Sequence, residues 1–495
     1  MTPAAMNGRE RSTGAVLPWA LAITVLLRLV TLGLYPLSDT TEARYAEIAR
    51  KMVELGDWVT PWYDYGVPFW AKPPLSTWMT AGSFKLLGVS EFAARLPHFL
   101  GAAFIAWLVW DWMRQRSARE AMLATTLLWG SALYFVAAGA VMTDMALLIG
   151  TMLAMRGFWL GLHGSEQQRQ RERWLLFVGL AIGLLAKGPI ALVLAGLPIL
   201  LWALMTGNLG GAWRELPWLR GGLLMFALAA PWYVLAELRT PGFLHYFLVG
   251  EHWYRFTVPG WSGDRYGSAH LEPRGTIWIY ALGACVPWAI LLPLAMVGRR
   301  TAHLNAPPEQ RTRWIYLLFW GVTPCVFFTG AGNIIWTYVL PGLPALSMLA
   351  AGWLERDPRQ RRVDALVAAG LVVVTVGFGA GLVYEQVTDG FNSAKALVAA
   401  FDVRKSGDDA LIFVGRHLYS PAFYTRGKAE RLDATTELGE RIRLHYSARP
   451  GRGTVFVALK VEQERELSSE MRDTLRFGGR YGAYELFSVA TENGL

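Results

Sequence analysis

Apolar stretches of about 20 residues, each long enough to cross a hydrocarbon core roughly 30 Å thick, recur through the first four-fifths of the chain. They predict membrane-spanning helices at 16–37, 92–112, 120–140, 143–162, 174–187, 189–206, 221–238, 275–297, 314–331, 335–353 and 363–384, eleven in all. The first follows Arg9 and Arg11, exceeds a signal-peptide core in length and lacks a clear small-x-small cleavage site, so it reads as an uncleaved span. Two polar pieces interrupt the series, residues 38–91 and 239–274. In the first, Ala43, Ala46, Ile48, Ala49, Met52, Val53 and Leu55 recur at helical spacing, Thr40 or Thr41 can cap the start and Gly56 can stop it, predicting a helix over 41–55. A second, aromatic helix is expected over 75–87, and both suit the membrane interface with Trp58, Trp62, Trp70 and Trp78 as an aromatic belt. After the last span, Ala410–Val414, Thr454–Leu459 and Tyr484–Val489 read as strands and Thr435–His445 and Glu462–Phe477 as helices. The chain therefore divides into a polytopic α-helical membrane part, 1–387, and a small α/β domain, 388–495.

Composition agrees: 53% of the 495 residues are hydrophobic and only 17% charged, against about 25% in soluble domains, which excludes a soluble globular protein. The net charge of +9 could suggest nucleic acid, but the basic residues sit in short loops between spans, a pattern of topology rather than of a nucleic-acid footprint. With residue 1 on the cytoplasmic side, the inside segments carry Arg9 and Arg11; Arg114, Arg116 and Arg119; Arg169, Arg171 and Arg173; Arg214 and Arg220; Arg299, Arg300, Arg311 and Arg313; and Arg356, Arg359, Arg361 and Arg362. The short outside turns near 141 and 333 carry no Lys or Arg, as the positive-inside rule requires. Residues 38–91, 239–274 and the tail then share the non-cytoplasmic face, where chemistry is expected. Cys285 and Cys325 fall inside apolar segments without metal-ligand spacing and read as buried thiols.

Asp39, Glu42, Arg44 and Tyr45 cluster at the mouth of the first span, and Lys72 precedes a rigid Pro73-Pro74 pair that fixes where its ammonium points. A carboxylate beside a fixed cation suits an anion-handling site. The residues alone equally allow Asp39 and Glu42 to complement a helix N-terminus and Lys72 to snorkel toward headgroups. Asp144 opens the fourth span on the outside, as a cavity carboxylate or as a helix cap. Lys187-Gly188-Pro189 sits at an outside turn, where capping or a phosphate contact would each explain the lysine. His252 and Glu251 flank Arg255 and could orient it, whereas His98 and His270 read as satisfied polar residues.

The run TEARYAEIARKM (41–52), then GDWVTPWYDYGVPFWAKPPL (56–75), then EFAARLP (91–97), resembles the family 39 glycosyltransferases, in particular their bacterial lipid A aminoarabinose branch. Likeness continues through LLAKGPIALVL (184–194), FLHYFLVGEHWYRF (243–256) and WTYVLPGLPAL (336–346); the tail carries no such motif. The resemblance implies a GT-C fold, a sugar donor carried on polyprenyl phosphate and transfer at the outer face. It also implies a catalytic or acceptor-positioning carboxylate in the first outside loop. The family pattern Asp-Glu-x-Arg-Tyr reads here Thr41-Glu42-Ala43-Arg44-Tyr45, which makes Glu42 the first candidate and Asp39 the second, with Asp144 third. Lys72 and Arg255 match the residues expected to hold the carrier phosphate, with Tyr338 near the same site and Arg44, Tyr45, His252 and Lys187 as further substrate contacts. The branch places a metal-ligating Glu before Lys-Pro-Pro; Ala71 stands there, which argues against a divalent metal.

The expectation is an inner-membrane enzyme with a periplasmic C-terminal domain. It moves a sugar from a polyprenyl-phosphate donor to a lipid or glycan acceptor such as lipid A, by inverting displacement, with membrane lipids and no nucleic acid as partners. A protein O-mannosyltransferase-like enzyme and a flippase for lipid-linked sugars are the alternatives. Ionisable residues gathered on one face rather than at mid-membrane favour transfer over transport.

Overall fold

The computed structural model describes residues 16–267, 270–296, 307–416, 418–448 and 453–489. Arg9, Arg11, Arg299 and Arg300 lie outside the described residues. The chain is a polytopic helical membrane protein. Among the described residues five helical stretches are long and apolar enough to cross a bilayer: Glu91–Met113, Thr143–His163, Trp218–Arg239, Trp336–Leu354 and Gln360–Val387. Val16–Thr31 and Ile190–Met205 are apolar but shorter. The remaining predicted segments are helical with breaks or polar turns: Ala118–Trp129 and Ala132–Ala137 part at Gly130 and Ser131, Thr276–Ala284 and Trp288–Met296 part around Pro287, and Glu166–Lys187 and Pro308–Phe328 begin with polar turns. Outward-facing Leu219, Phe226, Leu238, Val372, Val376 and Val383 remain exposed, as lipid-facing side chains would be.

Glycines set the closest packing. A Cβ on Gly150 would lie 2.6 Å from the Gly183 nitrogen, and one on Gly179 would lie 2.5 Å from the Ala154 nitrogen. The helices Thr143–His163 and Glu166–Lys187 therefore pack backbone against backbone, as small residues permit in membranes. This hairpin brings Asp144, near the start of one helix, beside Lys187 at the end of the next.

The first loop is built as the periodicity predicts. Helices span Thr41–Leu55, ended by Gly56 at φ 66°, and Leu75–Leu87. Neither Thr40 nor Thr41 caps through its side chain, since the Thr40 cap makes no side-chain hydrogen bond. Between them strands β1 (Trp62–Asp64) and β2 (Val67–Pro68) form a short antiparallel hairpin.

The tail holds a five-stranded sheet of β3 (Ala410–Val414), β4 (Glu430–Leu432), β5 (Val455–Lys460), β6 (Leu475–Tyr481) and β7 (Tyr484–Val489) in the order β4-β3-β5-β7-β6. β3 is parallel to β4 and β5, while β7 is antiparallel to β5 and β6. The expected helix over Glu462–Phe477 is corrected: two short helices, Val461–Glu464 and Ser469–Thr474, give way to β6. Its edge pairing with β7 overrides the helical spacing, because Gly478 and Gly479 favour an irregular strand over a continued helix.

The tail is clamped to the first loop. Asp39 accepts hydrogen bonds from the Tyr419 and Ser420 backbone N–H groups (both 2.9 Å) and the Ser420 hydroxyl (2.5 Å). Lys395 pairs with Glu91 at 2.6 Å, Arg431 with Asp64 at 3.0 Å, and the Tyr63 and Tyr419 hydroxyls meet at 2.7 Å.

Candidate functional site

Two cavities of opposite character share one border. The first, about 340 Å³, is a mainly apolar groove with Leu147, Ile190, Val193, Phe256, Phe327 and Phe328 among its walls. The second, about 160 Å³, is a polar chamber under the first loop, walled by residues including Thr41, Arg44, Tyr45, Asp264, His270 and Tyr419. Lys72, Asp144, Lys187, Arg255 and Tyr338 line both. Five residues distant in sequence thus form the junction.

Each cation at the junction is held by a carboxylate. Lys72, fixed ahead of Pro73-Pro74, donates to Glu251 Oε2 at 2.8 Å and to its neighbour's carbonyl, Ala71 O, at 2.7 Å. Arg255 follows a π-helical stretch, Tyr246–Tyr254, whose wider turn sets Glu251 and Arg255 against each other. Its Nη1 lies 3.3 Å from both Glu251 oxygens and 3.1 Å from Asp264 Oδ2. Burial would raise the Glu251 carboxyl, but the charges of Lys72 and Arg255 outweigh it and hold the group below its ordinary value. Lys187 donates to Asp144 Oδ1 at 2.7 Å and lies 4.6 Å from the Tyr338 ring centre, a cation–π contact.

His252 sits between two backbone carbonyls, with Nδ1 2.8 Å from Phe247 O and Nε2 3.2 Å from Lys187 O. Burial lowers its pKa, and the ring links the Lys187 turn to the Arg255 segment. Gly188, at φ 83°, could not carry a side chain here, because a Cβ would lie 2.5 Å from the Phe247 ring.

Arg44 and Tyr45 project into the chamber from the loop helix. Arg44 Nη1 donates to Tyr266 O at 2.8 Å, and the guanidinium lies 5.2 to 6.0 Å from the rings of Tyr45, Phe69 and Tyr419. Its buried Nε lacks a hydrogen-bond partner among the described residues.

The two first-choice carboxylates, Glu42 and Asp39, are held by partners away from the junction. Glu42 lines neither cavity: Arg95 grips both its oxygens, Nε to Oε1 at 3.0 Å and Nη2 to Oε2 at 2.7 Å, and the Val141 N–H donates to Oε1 at 3.1 Å. It locks the loop helix to the helix Glu91–Met113. Asp39 joins the tail to the loop, and burial raises its carboxyl despite the Ser420 and Tyr419 hydrogen bonds. Asp144 is the carboxylate candidate that reaches the site, one residue inside its helix rather than at the cap, which is Met142.

Asp264 was not among the expected site residues. It lines the chamber, accepts the Tyr266 N–H at 3.0 Å and faces Arg255. Its signal was a polar Gly263-Asp264-Arg265-Tyr266 run inside an outside loop. Tyr419 could not be read from motifs, since it arrives from the tail. His270 lines the chamber too, and burial lowers its pKa. Buried His98 meets Thr80 through Nε2 at 3.2 Å, while its Nδ1 finds no partner among the described residues.

Ala71 offers no side-chain ligand, the chamber carboxylates each face a cation, and among the described residues no group of three His, Cys, Asp or Glu converges to hold a divalent metal.

Residues 19–247 match the profile of the family described as dolichyl-phosphate-mannose-protein mannosyltransferase. The undecaprenyl phosphate-alpha-4-amino-4-deoxy-L-arabinose arabinosyl transferase of Aeromonas salmonicida is 33% identical over 352 residues, covering 67% of this chain and 59% of that protein. A protein of the same name, numbered 1, from Sodalis glossinidius is 31% identical over 357 residues, covering 70% of this chain and 60% of that one. The chain spans about 60% of the length of these curated relatives. Its fold resembles that of ArnT from Cupriavidus metallidurans bound to undecaprenyl phosphate, with a TM-score of 0.78 at 20% identity over 97% of this chain and 99% of that one.

Proposed function

We propose that this chain, a relative of the dolichyl-phosphate-mannose-protein mannosyltransferases through its membrane part, is a glycosyltransferase that takes a sugar from a polyprenyl-phosphate carrier. The acceptor is a cell-envelope glycolipid of the lipid A class. The observation that carries this reading is the junction: a greasy groove suits an isoprenoid tail, a polar chamber suits sugars, and Lys72 and Arg255 stand between them where a phosphate would lie.

Polyprenyl phosphate leaves well once its charge is stabilised. Lys72 and Arg255, held in place by Glu251, supply that stabilisation as the anomeric carbon–oxygen bond breaks. The acceptor attacks from the opposite side and inverts the centre. If the attacking group is a hydroxyl, its proton passes to Asp144 or Asp264, the carboxylates of the chamber wall. Lys187, packed against the Tyr338 ring, holds Asp144 in position, and Arg44 and Tyr45 line the sugar side. No step needs a metal.

Eleven crossings with the N-terminus in the cytoplasm put residues 38–91, residues 239–274 and the C-terminal α/β domain in the periplasm of an inner-membrane protein. The helices at all eleven apolar segments and the arginine-rich segments that alternate with them along the chain support this topology. The test is mass-spectrometric acceptor mapping after incubation of the reconstituted protein with polyprenyl-phosphate sugars and envelope fractions. Sugar on lipid A or another glycolipid is the expected result. Sugar on protein would move the assignment to O-glycosylation, and donor movement between leaflets without transfer would refute the enzyme.

A further inference from the structure

A third cavity, about 230 Å³, lies outside the site described above, in the seam between the first loop and the tail. Helix Thr41–Leu55 contributes Glu47 and Lys51, the β1–β2 hairpin contributes Tyr63, Asp64 and Tyr65, and the tail closes it with Tyr419, Glu430 and Arg431.

Its charges are already matched. Asp64 bridges Lys51 at 3.2 Å and Arg431 at 3.0 Å, so neither cation is free for an anion. Glu47 is gripped by Arg50 at 2.6 Å, and Glu430 by Arg441 at 2.6 Å. An anion would meet three neighbouring carboxylates, and a cation would compete with Lys51 and Arg431. What remains is a wall of hydrogen-bonding groups of both senses beside tyrosine rings. Such a wall fits an uncharged polyol whose hydroxyls donate and accept and whose C–H face packs on an aromatic ring.

The cavity also adjoins the chamber. Tyr419 lines both, its hydroxyl meets that of Tyr63 at 2.7 Å, and the Tyr63 ring lies 5.0 Å from Tyr266 and 6.3 Å from Phe69, which are chamber residues. One layer of aromatic side chains separates the two spaces.

We propose that the seam cavity is a saccharide subsite that holds a neutral sugar ring of the acceptor one residue's thickness from the reaction chamber. This rests on the glycosyltransferase reading and deepens it: the tail selects acceptors by a ring that does not react.

Ala422 and Ala429 line the seam and not the chamber, so Ala429→Phe and Ala422→Phe fill it without touching the junction. With the full chain in nanodiscs, both should raise KM for a glycolipid acceptor carrying several neutral rings by about tenfold. KM for the donor and for a single-ring acceptor should stay at the wild-type value. Tyr65→Ala, at a half-exposed wall position, repeats the test should a filled variant unfold. Equal kinetics for both acceptors in the folded variants, or equal loss for both, overturns the proposal. A second arm needs no transfer. Saturation-transfer NMR with maltotriose and chitotriose should detect binding of either to wild type that Ala429→Phe abolishes, with no binding of glucose 6-phosphate at the seam. No binding of either trisaccharide, or tighter binding of the phosphorylated sugar, overturns the subsite. If wild type transfers no sugar at all, the enzyme reading fails and this arm alone decides the seam.

Discussion

Replacing Glu42 by Gln separates a structural carboxylate from a reacting one. Arg95 is fully buried and makes five hydrogen bonds, two to Glu42 and three to the carbonyls of Leu32, Tyr35 and Pro36. Glutamine keeps the shape and one acceptor oxygen but turns an amide N–H₂ toward a guanidinium and removes its counter-charge. Removing one partner of a buried pair costs roughly 3 to 5 kcal/mol, so with one acceptor retained the expected loss is about 2 to 3 kcal/mol. That loss should appear as an earlier thermal unfolding transition in detergent. Adding Arg95→Gln should return part of it, because the second change removes the stranded charge. In folded Glu42→Gln protein kcat should remain within about threefold of wild type. Losing a general base would instead lower kcat by roughly 100- to 10,000-fold. A loss of that size with unchanged unfolding would refute the structural assignment of Glu42.

Asp39→Ala strands two buried amides at the Tyr419–Ser420 turn, which should weaken tail docking by about 2 kcal/mol and speed limited proteolysis between the last span and β3. Unchanged cleavage would contradict the clamp. The Glu251 carboxyl is held below its ordinary value of 4.5 in the folded protein, so its contribution to stability is present above that value and lost as pH falls through the lowered one. Unfolding followed against pH should therefore show an acid limb below 4.5 that Glu251→Gln makes shallower. Chelation with EDTA should leave transfer rates unchanged, and a rate restored only by added divalent ion would contradict the reading of Ala71.

Local pattern made much of the scaffold legible. The loop helices Thr41–Leu55 and Leu75–Leu87, and strands Ala410–Val414 and Tyr484–Val489, have the expected bounds because apolar spacing and punctuating residues decide them locally. Pairing was not legible. β6 exists because β7 lies beside it, and no spacing within Glu462–Phe477 reports a partner strand. The site divides in the same way. Lys72, Arg255, Lys187 and Tyr338 were visible as cations and aromatics in outside motifs, and the fold gathers them at the junction. The partners of the carboxylates were not legible because they lie far along the chain: Glu42 is paired with an arginine 53 positions later, and Asp39 with a turn about 380 positions later. Asp264 lines the chamber from a loop with no recognised motif.

Single-turnover transfer from a radiolabelled polyprenyl-phosphate sugar, in liposomes with a glycolipid acceptor, tests the junction most directly. Wild type should pass label to acceptor one-for-one with release of polyprenyl phosphate. Lys72→Ala and Arg255→Ala should each slow that step by roughly 100-fold or more while the protein still folds. Unchanged rates in both variants, or label that crosses the membrane still attached to its lipid, would contradict the account.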